Sequence, residues 1–205
     1  MGPGGESSVA DLTGESRRGF TLLEMLIVII ILGIIVAFAV PEAYNGVKAY
    51  RVHSDATSMV EELNLARFRA TSQNVPYEVH IDTANNEFYL ERLCTTTPFT
   101  SCTALLEGGD QYVSTEDSFT LTNPGTSCPP PAPDSFSACA GTTDFYFNSR
   151  GMPVDVNGSP IANGGEVIYV AGPATLGLTD AVTVTVGGQI NSYDWDVVAT
   201  NWILR

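Results

Sequence analysis

The sequence predicts an α+β fold in which one long N-terminal helix is followed by an antiparallel β-sheet head. An unbroken apolar run extends from Met25 to Val40 within the 205 residues of the chain. Helical periodicity continues after this run, and apolar and polar residues begin to alternate at Tyr77. We therefore expect a helix whose first half is apolar all round and whose second half packs on a sheet.

Composition and charge exclude several classes of function. The 23 acidic and 9 basic side chains give a net charge of −14. Residues 74–205 carry 15 acidic side chains against three basic ones, a net charge of −12. Because phosphate groups bind clustered Lys and Arg, we expect no nucleic-acid partner. The sequence also has no nucleophile elbow, P-loop, dinucleotide fingerprint or zinc motif, so we predict neither an enzyme nor a cofactor.

The segment Phe20–Val40 is long enough to cross a bilayer. As a helix it would span about 31 Å, against a hydrocarbon core of about 30 Å. Glu24 lies near its start, and a carboxylate inside a membrane is costly and indicates a function. A secretory signal would be shorter and would lack this carboxylate, although Ala37-Phe38-Ala39 resembles a signal cleavage site. A plain membrane anchor fits the length but leaves Glu24 unexplained.

The stretch RRGFTLLEMLIVIIILGIIVAFAVP, residues 17–41, resembles the processing site and first helix of type IV pilins and type II secretion pseudopilins. A basic pair and Gly19 precede Phe20, and Glu24 lies one helical turn further on. The resemblance implies that prepilin peptidase cuts between Gly19 and Phe20 on the cytoplasmic side and then N-methylates Phe20. Residues 1–19 are then a leader peptide, and residues 20–41 are the transmembrane and assembly half of the helix.

Cleavage before the apolar run keeps the helix on the mature protein and creates an α-amino cation at Phe20. In a helical polymer, the Glu24 carboxylate of one subunit can neutralise the Phe20 amine of its neighbour, because an unpaired charge in an apolar bundle is strongly destabilising. We expect Glu24 to set the axial register of assembly in this way. Pro41 is expected either to kink the helix or to mark the end of the membrane span.

Residues 42–74 are predicted to form an amphipathic half of the same helix. A stripe of apolar and small residues recurs there at three- and four-residue steps. It comprises Val47, Tyr50, Ser54, Thr57, Val60, Leu63, Ala66 and Ala70. Pro76 disfavours helix at Val75, so the helix is expected to end near Gln73. His53 stands alone on this helix and is interpreted as a surface or packing residue.

Residues 75–205 are predicted to form a globular β-rich head. Alternation over residues 76–93, with a turn at Ala84-Asn85-Asn86, predicts a hairpin. Gly187-Gly188 predicts a second hairpin between the last two strands. Further strands are expected at Asp144–Asn148, Val167–Ala171, Ala181–Val186 and Gln189–Val198.

Residues 94–143 are predicted to be a long insertion, rich in Thr, Ser, Pro and Gly, with one or two short strands. All four cysteines lie in it: Cys94, Cys102, Cys128 and Cys139. We expect disulfides, which indicate an oxidising compartment, and three pairings are open. Asp194 and Asp196 lack the full oxygen cage of a calcium site. The sequence therefore predicts no metal site.

Three blocks of the chain look most like the GspH/FimT group of minor pilins and pseudopilins. They are Glu62–Asp82, Asp144–Gly158 and Val182–Asp196. The resemblance implies a structural subunit of a type II secretion pseudopilus or a type IV pilus, whose partners are prepilin peptidase and other pilin subunits contacted through the N-terminal helix. The head would lie in the periplasm, with the helix crossing the bacterial inner membrane once.

Two alternative functions follow from the same sequence. A DNA-uptake minor pilin would need a cationic head, which the charge of −12 opposes. A membrane-anchored periplasmic binding module would keep an uncut and unmethylated N-terminus. The secretion-type subunit is slightly favoured over the pilus type because the chain has no separate adhesive domain.

Overall fold

The computed structural model describes residues 20–101, 103–108, 111–114, 116–124, 128–129, 139–161 and 164–205. The chain divides after Glu42 into two compact units. One helix, α1, runs from Leu22 to Gln73, and Phe99–Ser101 form a 3₁₀ turn. The strands are β1 (Tyr77–Asp82), β2 (Glu87–Arg92), β3 (Leu105–Leu106), β4 (Gln111–Tyr112), β5 (Ser118–Thr120), β6 (Asp144–Phe147), β7 (Pro153–Val154), β8 (Gly165–Ala171), β9 (Thr179–Thr185), β10 (Ile190–Asp196) and β11 (Asn201–Leu204).

The strands form two antiparallel sheets. The first has the order β3-β2-β1-β6-β7, with β4 also paired to β2, and the second has the order β11-β10-β9-β8-β5. The predicted α+β fold and the β1–β2 hairpin are confirmed, with Ile81 opposite Phe88 beside the turn. The β9–β10 hairpin is also confirmed. Gly188 in its turn has a φ of +78°, a left-handed conformation that favours glycine.

The second half of α1 buries one stripe of side chains against both sheets. Its members are Val52, Ala56, Met59, Leu63, Ala66 and Ala70. Steps of four and three residues keep them on one face of the helix. They share a core with Phe88 and Phe147 of the first sheet and with Ile168 and Val182 of the second. The core therefore lies between α1 and the inner faces of the two sheets.

The predicted stripe is wrong ahead of Val60, which is partly buried and packs against the core. Tyr50, Ser54 and Thr57 are exposed, and the buried positions in this part are Val52, Ala56 and Met59 instead. The predicted stripe included hydroxyl residues. The Thr57 hydroxyl hydrogen-bonds to the helix itself, since it donates to the His53 carbonyl oxygen at 2.8 Å. The buried face contains no polar residue, because a buried hydroxyl needs a partner that an apolar sheet face does not offer.

α1 ends at Gln73. Asn74 follows with a φ of +57°, the left-handed conformation that commonly terminates a helix. Val75 and Pro76 follow, and β1 begins at Tyr77, whose ring is fully buried. The chain thus passes from helix to the central strand of the first sheet through three residues.

The insertion contains three short strands among its described residues, β3, β4 and β5, and not the one or two that were expected. β3 and β4 have two exposed residues each and pair with β2. β5 pairs with β8 and places Phe119 in the core. Strands of two or three residues are too short for an alternating pattern to show in the sequence.

Two other strands were not predicted. β7 begins with Pro153 at the edge of the first sheet, a position that tolerates the missing N–H. β10 ends at Asp196 and not at Val198, because the Asp196 carboxylate accepts the N–H groups of Val198 and Ala199 in a turn. After that turn the chain enters β11, which pairs with β10.

Candidate functional site

Thr21 caps the N-terminus of α1. Its hydroxyl oxygen accepts the backbone N–H of Glu24 at 3.1 Å, and its carbonyl oxygen accepts the N–H of Met25 at 3.2 Å. Glu24 is the third residue of the helix, where a carboxylate interacts favourably with the helix dipole. Thr21 and Glu24 therefore form the S/T-x-x-E pattern of a capping box, a signal in the sequence that the prediction missed.

The apolar side chains of the N-terminal unit are exposed all round the helix. Between Phe20 and Val40, the exposed fraction of the large hydrophobic residues ranges from 44% at Val28 to 84% at Leu22. The most apolar 18-residue window of α1 has a mean hydropathy of 3.1, and none of it is buried. By length and composition, α1 could cross a membrane. A surface of this kind needs lipid or other helices around it.

The predicted processing and assembly residues are only partly described. Gly19 and the rest of the leader, residues 1–19, lie outside the described residues. Phe20 is the first described residue, and Glu24 is exposed in the first turn of α1. α1 continues through Pro41, which lies inside the helix.

A disulfide closes a loop within the cysteine-rich insertion, and a hydrogen bond connects this loop to the second sheet. Cys128 is bonded to Cys139, with 5.5 Å between their Cα atoms. Cys139 is buried, and its carbonyl oxygen accepts the Tyr169 hydroxyl of β8 at 2.9 Å. Cys94 is also disulfide-bonded, whereas Cys102 lies outside the described residues.

A junction in the head joins the three sequence blocks that resemble minor pilins. Arg67 of α1 donates a hydrogen bond to the carbonyl oxygen of Gly188 in the β9–β10 turn. Gly151, in the turn before β7, lies against the same part of the helix. A Cβ atom on Gly151 would lie 2.7 Å from Thr71 Cγ2, so only glycine fits there. Each block therefore supplies one part of a single contact.

Two carboxylates, Asp55 of α1 and Asp117 before β5, face each other in the head. Asp55 Oδ2 accepts the backbone N–H of Ser114 at 2.7 Å. Asp117 is 4% exposed, and its Oδ2 has no hydrogen-bond partner in the described part of the chain. Burial, followed by the hydrogen bond with Asp55, raises the pKa of Asp117 to about 7. Asp117 therefore keeps its proton on the acidic side of neutrality.

His53 contacts a buried carboxylate, which agrees with its predicted packing role. Its Nδ1 lies 3.2 Å from Oδ2 of Asp180, a buried residue of β9. Burial raises the pKa of Asp180 to about 6, although the hydrogen bond with His53 lowers it. The pair therefore helps to hold α1 on the second sheet.

A partly exposed ion pair also connects α1 with the insertion. Lys48 Nζ lies 3.0 Å from Glu116 Oε2, and the Tyr44 hydroxyl donates to Glu116 Oε1 at 3.2 Å. The hydrogen bond with Glu116 raises the pKa of Lys48. Together with Asp55, these residues place the segment before β5 against the middle of α1.

The N-terminal segment, with its capped helix start and exposed apolar side chains, also matches a known family model. Residues 16–40 match the prokaryotic N-terminal methylation motif. The matched residues include Gly19, Phe20 and Glu24. The motif therefore covers both the predicted cleavage site and the capped start of α1.

Several solved structures are similar to the chain. The minor pseudopilin EpsH from the Type 2 Secretion System of Vibrio cholerae has a TM-score of 0.45 and 13% identity, covering 69% of this chain and 95% of that chain. A second EpsH structure has a TM-score of 0.44 and 11% identity, covering 69% and 92%. The type IV minor pilin FimU of Pseudomonas aeruginosa has a TM-score of 0.44 and 13% identity, covering 68% and 85%. No curated protein sequence matches the chain significantly.

Proposed function

We propose that this chain is a minor pilin or pseudopilin, a structural subunit that assembles through α1 into a type II secretion pseudopilus or a type IV pilus. The observation that carries the proposal is the methylation motif at residues 16–40, which coincides with the start of a helix whose apolar side chains are exposed all round. Lipid covers these side chains before assembly, and neighbouring helices cover them in the fibre. The chain acts as a structural component and not as an enzyme.

Processing releases the assembly helix. Prepilin peptidase cuts between Gly19 and Phe20 and methylates the new α-amino group of Phe20. The match of the methylation motif to both residues supports this step. The mature chain then begins two residues before α1, whose first turn is already held by the Thr21 cap.

Glu24 pairs with the Phe20 amine of the neighbouring subunit in the fibre. The Glu24 side chain is exposed in the first turn of α1, one turn from Phe20. Because both charges lie among apolar side chains, an unpaired one costs several kcal/mol, whereas a pair is tolerated. Pro41 then either bends the helix or marks the end of its membrane-spanning part.

The helix crosses the inner membrane once, and the head lies in the periplasm. The Cys128–Cys139 disulfide supports this location, because disulfides persist in oxidising compartments. Cys94 is also disulfide-bonded, which supports the same location. Residues 1–19 stay on the cytoplasmic side until they are removed.

The assembly role of Glu24 is tested with two matched variants. Glu24→Ala chains should be processed and inserted in the membrane, but should be lost from the sheared-fibre fraction. Glu42→Ala is the control, since Glu42 is an exposed carboxylate on the same helix, one residue after Pro41. Its content in the fibre fraction should match that of the natural chain. Entry of Glu24→Ala chains into fibres at the natural level would contradict the proposal.

A further inference from the structure

The pairing of β1 with β6 brings one imidazole and two carboxyl side chains to one face of the first sheet. Glu78 and His80 are two residues apart on β1, so both point away from the core that Tyr77 and Val79 enter. Asp144 is the first residue of β6 and lies directly opposite His80. None of these residues belongs to the N-terminal segment on which the proposed function rests.

The donor atoms of these three side chains converge. His80 Nδ1 lies 2.6 Å from Asp144 Oδ1 and 3.8 Å from Glu78 Oε1. One donor atom from each residue falls within 4.8 Å of the other two. The Thr143 hydroxyl donates to Asp144 Oδ2 at 2.7 Å, which leaves Oδ1 directed at the imidazole. An outer hydrogen bond of this kind orients metal ligands in many proteins.

Carboxyl groups outnumber cationic side chains at this place, and two of them are largely buried. The Glu78 side chain is 9% exposed, and its Oε1 lies beyond hydrogen-bond distance of the imidazole. Glu166 of β8 lies close enough to Asp144 for the two carboxylates to repel each other. Its Oε2 is fully buried and has no hydrogen-bond partner within the described ranges. Three carboxyl groups, two of them largely buried, therefore surround a single imidazole, and ionising them is costly without a further cation.

We propose that Glu78, His80 and Asp144 form a binding site for a divalent transition-metal ion, for which Zn²⁺ is the best match. One imidazole nitrogen and two carboxylate oxygens suit Zn²⁺, whereas Ca²⁺ and Mg²⁺ prefer ligand sets made of oxygen alone. In the metal-bound state, His80 and Asp144 exchange their mutual hydrogen bond for bonds to the ion, and water completes the coordination. The ion stabilises the ionised carboxylates and joins β1 to β6. This site is independent of the proposed assembly function.

Zinc binding by the untagged full-length chain in detergent tests the proposal. The protein is stripped with a chelator and titrated with ZnCl₂ in competition with a zinc-sensitive dye. We expect one Zn²⁺ per chain, with no displacement by excess Ca²⁺ or Mg²⁺. His80→Ala and Asp144→Asn should each weaken binding by more than about tenfold, the loss that even an outer partner of a metal ligand can cause. Absence of stoichiometric zinc binding would overturn the proposal.

His53→Ala is the matched control. His53 is the other of the two histidines, and it too lies beside a carboxylate, but Asp180 is its only acidic contact among the described residues. Its replacement should leave zinc affinity unchanged, and an equal loss in both histidine variants would overturn the proposed site. If His80→Ala does not fold, X-ray absorption of zinc in the natural chain decides. One imidazole with oxygen donors supports the site, whereas sulfur donors or no imidazole contradict it.

Discussion

Arg67 Nη1 donates a hydrogen bond to the carbonyl oxygen of Gly188 across 2.7 Å, and this contact joins α1 to the β9–β10 turn. The residues are 121 positions apart, and both are partly or fully shielded from solvent. A guanidinium is well suited to this position, because its planar donors hold a carbonyl oxygen while its stem packs on the neighbouring turn. The contact therefore ties the end of the helix to the second sheet.

Arg67→Ala should destabilise the head by about 1.5–3 kcal/mol, since it leaves the Gly188 carbonyl oxygen without its charged partner. The free energy of unfolding is measurable in denaturant from the fluorescence of Trp195 and Trp202, which are buried in the second sheet. Arg51→Ala is the control, because Arg51 is an exposed arginine on the same helix. Equal effects of the two substitutions would show that the contact with Gly188 contributes nothing.

Gly151→Ala should also destabilise the head, by about 1–3 kcal/mol. Gly151 has a φ of +71°, and a Cβ atom there would meet Thr71 Cγ2 at 2.7 Å. Gly108→Ala is the comparison, since a Cβ atom on Gly108 would meet nothing within 4 Å. Thermal unfolding of the two variants should separate them clearly. A Gly151→Ala chain as stable as Gly108→Ala would mean that the turn before β7 moves without cost.

Asp117 should make the stability of the head fall as the pH rises from about 4 to about 7. Its pKa is raised from 3.8 to about 7, first by burial and then by Asp55, while Glu116 raises it further and Arg51 lowers it. In this window the folded chain keeps a proton that the unfolded chain has released, so raising the pH favours unfolding. Above about pH 7 this contribution no longer changes.

Asp117→Asn should remove that part of the pH dependence, because the amide does not titrate. The measurement is the free energy of unfolding between pH 4 and pH 8 for the natural and variant chains. Glu61→Gln, which changes an exposed carboxylate of α1, should leave the pH dependence as it is in the natural chain. A pH profile of Asp117→Asn that coincides with the natural one would refute this role of Asp117.

Replacing Cys128 and Cys139 by serine should cost about 2–3 kcal/mol of stability. The disulfide closes a short loop, and loops of this length contribute roughly that amount through the entropy of the unfolded chain. Denaturant unfolding with and without reductant checks the value. Reductant should lower the stability of the natural chain more than that of the double variant, and natural stability in the double variant would contradict the prediction.

Local signals in the sequence were sufficient for the helix and the hairpins. Alternation and a polar turn predict β1 and β2, and Gly187-Gly188 predicts the turn between β9 and β10, because each depends on neighbouring residues only. The face of α1 that becomes buried depends on the sheets, which are distant in sequence. Val52, Ala56 and Met59 were therefore missed, although they form an uninterrupted apolar line.

Most contacts in the candidate sites could not be predicted from the sequence either, because their partners are distant in sequence. Thr21 and Glu24 are three residues apart, so their capping box could have been predicted from the local sequence. His80 and Asp144 are 64 positions apart and meet only because β1 pairs with β6 across the whole insertion. Asp55 and Asp117 likewise meet only once β5 has joined the second sheet.

The N-terminal residue of the protein isolated from its own cells tests the proposed function most directly. Edman degradation and mass spectrometry identify that residue and its modification, and cells lacking prepilin peptidase serve as the control in which Met1 is retained. We predict that the natural protein begins with N-methylated Phe20. A natural chain that begins at Met1, or one cut after the apolar run near Val40, would contradict the proposal.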